Sequence, residues 1–179
     1  NYRLDTFILN YFGGPSAVGI YGAAVAIAEL LWHFPNAVGF VILPKAAASD
    51  PATLNSFTPK VLRATLSLTA AAGAVVAVGG RTLIEWVYSA AFASAYGPLL
   101  GLLPGVVLLS GFKVLANEMA GRGYPQYNSA ISATTLGMTV LLDFLLIPRW
   151  GASGAAVASS ATYAGTFVLA LMLYGRVAR

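Results

Sequence analysis

Five ionisable side chains lie within long apolar stretches, and their types and depth suggest chemistry. They are Arg3, Asp5, Glu29, Lys113 and Asp143, and His33 lies one turn after Glu29. A charged side chain costs ~2.5–3.5 kcal/mol or more at the centre of a bilayer, so such groups are retained where they face a bundle interior or a watery cavity. Carboxyl and imidazole groups there can hold a proton or a cation, and an amine can meet an anion. No two of these residues have the spacing of a hydrolytic site.

Glu29 and His33 are four residues apart, which places them on one face of a continuous helix. Because burial favours the neutral form of a carboxyl group, Glu29 beside His33 could exchange a coupling proton or cation near neutral pH. The alternative is a neutral glutamic acid hydrogen-bonded to a neighbouring helix. Pro35 removes one backbone hydrogen bond and predicts a kink in this helix.

Lys113 lies deep in another apolar stretch, with Asn117 one helical turn later. A buried lysine of this kind can meet an anionic substrate group, and Asn117 would lie beside it. Alternatively, Lys113 extends its amine towards the interface or pairs with Glu29 or Asp143 as a structural contact. Glu118 is near the end of the same stretch, and we interpret it as an interfacial residue.

Arg3 and Asp5 precede Gly13 by a distance that places them some 12–15 Å into the bilayer if the segment is helical. A guanidinium can hold phosphate through two parallel hydrogen bonds. Mutual pairing of Arg3 and Asp5 is the alternative, although residues two apart do not share a helix face. Asp5 and Asp143 are further candidates for ion coupling, and Asp143, just before Pro148, is interpreted as mainly structural, near the outer interface.

The composition indicates a polytopic membrane protein. Only 9% of the 179 residues are Asp, Glu, Lys or Arg, against about 25% in an ordinary soluble domain, and the mean hydropathy is +0.76. Residues 64–80, 86–112, 123–142 and 150–175 carry no charge, and a helix needs about 20 mostly apolar residues to cross a bilayer. A secreted or cytosolic enzyme is excluded, and we expect no enzymatic activity.

Several kinds of site are not expected. The chain has no cysteine and one histidine, which argues against a disulfide framework, a thiolate metal site or a zinc cluster. It also has no glycine-rich nucleotide loop, so an ATP-driven pump is unsupported. The net charge of +4 comes from residues between apolar spans rather than from a basic run. We therefore expect no cofactor, no metal and no nucleic-acid partner.

Glycine and proline divide the chain into an all-α transmembrane bundle of five complete spans and the end of a sixth. Gly13-Gly14-Pro15 predicts a tight break, and the Gly79-Gly80 pair predicts a helix end followed by an interfacial segment over 81–97. Since the chain begins at Asn1 without a signal region, we expect it to be a later part of a longer protein. The predicted spans cover about 1–12 (partial), 16–43, 60–79, 98–120, 126–147 and 152–174.

Basic residues between the spans predict the orientation. One side carries Lys45, Lys60, Arg63, Arg122, Arg176 and Arg179, and the other carries Arg81 and Arg149. The positive-inside rule then places the C-terminus in the cytoplasm. In the last span, small residues recur every four positions in two rows, which predicts close contact with another helix. The rows are Gly151, Ala155, Ser159 and Gly154, Ala158, Thr162.

Several strings resemble the C-terminal lobe of polysaccharide flippases, which belong to the multidrug/oligosaccharidyl-lipid/polysaccharide exporter superfamily. The first is Arg3-Leu-Asp5-Thr-Phe-Ile-Leu, followed by Gly14, Val18-Gly19-Ile20-Tyr21 and Pro44. The most specific is Leu145-Leu146-Ile147-Pro148-x-x-Gly151-x-x-Gly154-Ala155-Ala156, which resembles the junction of the last two core helices. Gly121-Arg122-Gly123 also fits, and the resemblance covers the whole chain.

The resemblance implies one six-helix lobe of a two-lobe carrier in a bacterial cell (inner) membrane. Such proteins flip isoprenoid-diphosphate-linked oligosaccharides for polysaccharide biosynthesis by alternating access, usually coupled to an ion gradient. The implied partners are the lipid-linked glycan, the bilayer and a missing N-terminal lobe of the same protein. By location, Arg3 and Lys113 would neutralise the diphosphate. Glu29 departs from the neutral content expected at that depth.

Two alternatives stay open at this point. One is a cation-coupled multidrug and toxic-compound extrusion antiporter of the same fold, which would use Glu29 and Asp143 as acidic sites. The other is a non-transporting membrane scaffold of a biosynthetic complex. The scaffold predicts that Arg3, Glu29 and Lys113 pair with one another and leave no open cavity.

Overall fold

The computed structural model describes residues 4–177, which form five α-helices and one short 3₁₀ helix. No strand occurs within this range. Arg3 and Arg179 lie outside the described residues. The helices are α1 (Leu4–Leu30), α2 (His33–Ala48), α3 (Pro51–Tyr88), α4 (Tyr96–Gly121) and α5 (Pro125–Val177), and the 3₁₀ helix spans Ala90–Ala95.

Helices α1 and α5 are each folded into a hairpin at a glycine. Gly14 has φ 71° and Gly151 has φ 55°, values in the left-handed region that glycine adopts without the clash a Cβ would cause. The two arms of each hairpin lie side by side, because the Tyr21 hydroxyl donates to Asp5 across α1 and the hydroxyls of Thr135 and Thr166 are 2.8 Å apart across α5. Both reversals occur where the sequence predicts breaks.

The predicted span 16–43 is interrupted rather than merely kinked. Helix α1 ends at Leu30, and α2 begins at His33 after a tight turn in which the Trp32 amide donates to the Glu29 carbonyl. The turn follows from Pro35, whose ring would clash with the carbonyl four residues earlier, at Leu31. Pro35 is accommodated because the first turn of a helix needs no donor from it.

Helix α3 is longer than predicted, and the break at Gly79-Gly80 is wrong. The helix runs through both glycines to Tyr88, and only residues 90–95 of the supposed interfacial segment form a separate element. Two glycines inside a helix cost about 1 kcal/mol each relative to alanine. Gly80 is buried where a Cβ would approach the Leu99 side chain to 2.8 Å, so packing against α4 explains its presence.

The beginning of α3 is fixed by a cap. The Asp50 carboxylate accepts from the Thr53 amide at 2.9 Å and from its hydroxyl at 2.7 Å, and Pro51 occupies the first helical position. These hydrogen bonds, which favour the ionised form, lower the pKa of Asp50. The helix therefore starts at Pro51, although its predicted apolar span starts at about residue 60.

Helix α4 lies at the centre of the bundle and packs against all four other helices. Its contact with the second arm of α5 is a close backbone approach, because a Cβ on Gly105 would lie 2.4 Å from the Ser160 Cα. The Ser160 hydroxyl donates to the Gly101 carbonyl, and the Gly105 amide donates to Ser160 at 3.1 Å. Ala155 and Ala158 are fully buried in the same arm, which confirms the close packing predicted from the small residues.

The bundle has the exterior of a membrane protein. Four helical stretches are long and apolar enough to cross a bilayer: Leu4–Leu30, Pro51–Tyr88, Ala90–Gly121 and Pro125–Val177. Large apolar side chains cover the outside; Phe40 is 83% and Val78 88% exposed. The predicted class, an all-α helical membrane bundle, is confirmed.

The two ends of the bundle differ in charge. At one end the last turn of α4 meets the end of α2, because a Cβ on Gly121 would lie 2.6 Å from the Leu43 carbonyl oxygen. Arg122, at the same end, donates to Asn55 near the start of α3. Lys45 and Arg176 lie in the last turns of α2 and α5 and therefore belong to this end, which we call the basic end. The opposite end contains the two glycine bends, and we call it the bend end.

Candidate functional site: a buried acidic layer

Four polar side chains lie at one depth in the bundle, although they come from four different helical arms. Each is seven to nine residues from a glycine bend, at Asp5, Tyr21, Asp143 and Ser159. At 1.5 Å per residue, all four are about 10–14 Å from the bend end. We call this set the acidic layer. The two hairpins bring these side chains together because they reverse at the same end.

Asp5 is the hydrogen-bonded member of the acidic layer. It is 7% exposed, and its Oδ2 accepts from the Tyr21 hydroxyl. The Ser159 Oγ is 3.4 Å from the same carboxylate oxygen and 3.1 Å from the Tyr21 oxygen. The other oxygen, Oδ1, accepts from the Thr6 amide at 2.7 Å. Asp5 is therefore held rigidly by both arms of α1 and by α5.

Asp143 has no such support. It is fully buried, and neither carboxylate oxygen has a hydrogen-bond partner within residues 4–177. Asp5 is close enough to interact with it electrostatically. Neither acid forms an ion pair with a lysine or arginine of the described residues. Since an uncompensated buried carboxylate is costly, Asp143 requires a proton, a cation or a partner beyond the described residues.

The structure places Asp143 about 12 Å below the bend and fully buried, which is deeper than the predicted position near the outer interface. Its mainly structural role stays a prediction. Asp5 and Asp143 thus lie at a similar depth and interact electrostatically, while Arg3 lies outside the described residues.

A second polar cluster lies around the Lys113 amine. Its Nζ donates to the Asn36 Oδ1 at 2.7 Å and lies 4.6 Å from the centre of the Trp32 ring. A cation over a tryptophan face gains about 0.5–2 kcal/mol. Glu29 interacts with Lys113 electrostatically, but the two do not form an ion pair within 4.0 Å. We call Lys113, Asn36, Trp32 and Glu29 the amine cluster.

The structure separates Glu29 from His33, contrary to the prediction that they share one helix face. The turn at Leu31–Trp32 places them on different helices, and the exposed His33 ring contacts the Leu30 carbonyl at 3.2 Å. Asn117 donates to the Lys113 carbonyl at 2.8 Å and packs against Gly39, where a Cβ would approach its amide to 2.6 Å. Its amide therefore supports the contact between α2 and α4.

Aromatic side chains lie between the amine cluster and the acidic layer. The rings of Trp32 and Tyr163 meet edge to face, with their centres 6.2 Å apart. Trp32 contacts Lys113 on one side, and Tyr163 shares the lining of two cavities with Asp5 on the other. The cation and the carboxylates are thus adjacent, yet they are not paired.

The larger of these two cavities has a volume of about 380 Å³ and reaches Asp5. It lies between α4 and the two arms of α5. Most of its lining residues carry a hydroxyl or carboxyl group, and Leu109, Phe112, Ala133 and Leu136 supply the apolar part. The lining residues with polar groups are Asp5, Ser132, Thr135, Thr139, Ser159, Tyr163 and Thr166.

Glu118 is buried, whereas the sequence predicts an interfacial residue. It has no exposed surface and pairs with Arg122 at 2.6 Å, and Arg122 also donates to Asn55 at 2.7 Å. The ion pair lies at the end of α4, and the hydrogen bond from Arg122 to Asn55 connects it to α3 at the basic end. It is a structural contact, which the four-residue spacing on one helix face allows.

Comparisons with known proteins agree with the membrane assignment. The chain is 25% identical over 171 residues to an uncharacterised membrane protein of Methanocaldococcus jannaschii, MJ1068, with 93% of the chain covered. It spans about a third of the length of that relative. No protein family profile and no solved structure matches the chain. The protein is a membrane protein.

Sequence reasoning identified both acids and the lysine but missed the residues that hold them. The missed residues carry no charge, so hydropathy does not mark them as unusual. They are Tyr21, Ser159, Asn36 and Trp32. One signal was available. Asp143 and Ser159 are equidistant from Gly151, and Asp5 and Tyr21 are nearly so from Gly14, so each pair lies at one depth once the chain folds back.

Proposed function

We propose that this chain forms one lobe of a cation-coupled flippase for isoprenoid-diphosphate-linked oligosaccharides. The observation that carries the coupling is the fully buried, unpaired Asp143 beside Asp5. The substrate class rests on the resemblance to polysaccharide flippases and on the amine cluster. The protein would act in a bacterial inner membrane with its C-terminus in the cytoplasm.

The two clusters suggest a division of roles. Asp5 and Asp143 take up a proton or a monovalent cation, and the hydroxyls of Tyr21 and Ser159 complete that site. Lys113 meets the diphosphate, with Arg3 as a second cation for the same group. Cation binding removes the repulsion between the two carboxylates, which would favour one arrangement of the two lobes over the other. Alternating access then follows from rocking of this lobe against the rest of the protein.

The substrate assignment is tested by transport of a fluorescent isoprenoid-diphosphate oligosaccharide in proteoliposomes that contain the whole protein. We expect Lys113→Ala to reduce transport at least tenfold and the Arg3→Ala/Lys113→Ala double variant to abolish it, with membrane insertion intact. The matched control is Lys60→Ala, which removes an exposed lysine from α3. Normal transport by the double variant would disprove the diphosphate role.

A multidrug antiporter is the second candidate, favoured by an acid pair that has no basic ion-pair partner within the described residues. In that case an organic cation would bind near Asp5 in the 380 Å³ cavity. Such a protein would keep its transport activity in Lys113→Ala and lose it in Asp5→Asn. Efflux of a fluorescent organic cation, measured in the same proteoliposomes, distinguishes the two candidates.

A further inference from the structure

The 380 Å³ cavity has a feature that the acidic layer alone does not explain, namely its direction. It begins at Ser132, which is exposed and about 10 Å from the start of α5 at the basic end. It ends at Asp5 and Ser159, about 16 Å deeper. The lining residues therefore follow the axis of α5, and the exposed ones, among them Ser132 and Leu136, lie along the flank of that helix.

Hydroxyl groups follow the cavity at intervals of one helical turn. On the first arm of α5, Thr135 and Thr139 are four residues apart, and Asp143 follows four residues later. Thr166 lies opposite Thr135 on the second arm, at 2.8 Å between their hydroxyl oxygens. Because Thr139 and Thr166 donate to carbonyls of their own helix, their oxygens remain acceptors towards the cavity.

We propose that this cavity is a water-filled path through which the coupling cation exchanges between the acidic layer and the basic end. Its volume accommodates on the order of ten water molecules. Hydroxyl oxygens spaced along it can replace part of the hydration shell of a monovalent cation or relay a proton through bridging water. That a coupling cation uses the cavity rests on the proposed function, whereas the presence of water in the cavity does not.

The proposed path gives a cation access to the acidic layer from one side of the membrane. Towards the bend end, Ala155 and Ile147 are buried with at most 1% exposure, and the lining of the cavity does not continue past Asp5 and Ser159 in that direction. By the positive-inside rule the basic end is cytoplasmic. In this proposal, the acidic layer exchanges its cation with the cytoplasm at Asp5 and Ser159, the members that line the cavity.

Thiol labelling tests the path, since the chain contains no cysteine and any introduced thiol can be compared with the unsubstituted protein. The test variants are Ser132→Cys and Leu136→Cys, both exposed and both lining the cavity. The control is Val75→Cys, which is 73% exposed on the outside of α3 and lines no part of the cavity. All three would be treated with a membrane-impermeant methanethiosulfonate in oriented vesicles.

We expect both cavity variants to react at least tenfold faster than Val75→Cys, and only when the reagent is added on the side of the basic end. Reaction rates equal to that of Val75→Cys would show that the cavity is dry and would overturn the proposal. Reaction from the opposite side would overturn it too. Labelling requires no substrate and no transport, so its outcome is independent of whether the protein carries glycans.

Discussion

Replacing Asp143 by asparagine tests the acidic layer with the smallest possible change. The substitution keeps the size of the side chain and removes one of the two carboxylates that face the bound cation. At a separation of about 4 Å and an effective dielectric constant of about 20, that carboxylate contributes about 4 kcal/mol to cation binding. Each 1.4 kcal/mol is a factor of ten, so the maximal loss in affinity is about 1,000-fold. Relaxation of Asp5 towards the cation reduces this, and we expect at least 100-fold.

The loss can be measured as cation-dependent stability of the purified protein. At a cation concentration of 100 times the wild-type dissociation constant, binding stabilises the folded state by about 2.7 kcal/mol. A 100-fold weaker variant gains only about 0.4 kcal/mol at the same concentration. We therefore expect Asp143→Asn to lose most of the stabilisation and to lose cation-driven transport in proteoliposomes.

The matched control is Glu85→Gln, which makes the same carboxylate-to-amide change at an exposed ion pair with Arg81. It should retain the cation response of the wild type. If Asp143→Asn were stabilised by the cation as strongly as the wild type, the acidic layer would not be the binding site. The buried acid pair would then be a neutral structural contact.

Four further substitutions test the packing and the ends of helices. Gly105→Ala should lower the free energy of unfolding by about 1–3 kcal/mol because its Cβ would overlap Ser160, whereas Gly79→Ala, with no atom within 4 Å, should not. Arg122→Ala should cost about 3–5 kcal/mol by leaving Glu118 buried without its partner; denaturant unfolding in detergent measures all three. Hydrogen bonds to Thr53 lower the pKa of Asp50. The stabilisation from its ionised cap is therefore complete above about pH 4 and is lost as the pH falls through the folded-state pKa. This loss of stability in acid, followed by circular dichroism, should be absent in Asp50→Asn.

The membrane class and the helical content follow from composition because a bilayer forces apolar segments into helices. The hairpin positions also follow, since Gly14 and Gly151 occur where the chain must adopt a positive φ. The course of α3 was less predictable. Gly79-Gly80 has the local signal of a helix end, and only the tertiary contact of Gly80 with Leu99 explains why the helix continues.

The members of the candidate site were harder to predict than its charges. Hydropathy marks Asp5, Asp143 and Lys113 as unusual, but which of them meet depends on the pairing of arms that are more than 100 residues apart. The break before His33 was also difficult to predict from the sequence. It follows from Pro35, yet local sequence rules give a kink and a full break nearly equal weight.

The separation of opposite charges in this lobe is itself an argument for transport. Trp32 contacts Lys113, and Tyr163 lines two cavities together with Asp5. A direct ion pair between Lys113 and Asp5 would neutralise both charges, and neither group would then need an external ion. Instead, the edge-to-face contact of Trp32 with Tyr163 lies between them. Lys113 donates to a neutral amide, lies over a ring and interacts with Glu29 without forming an ion pair with it, and Asp143 has no hydrogen-bond partner within residues 4–177. Both charges are therefore incompletely compensated within the described residues, which leaves the amine cluster able to bind an anion and the acidic layer able to bind a cation.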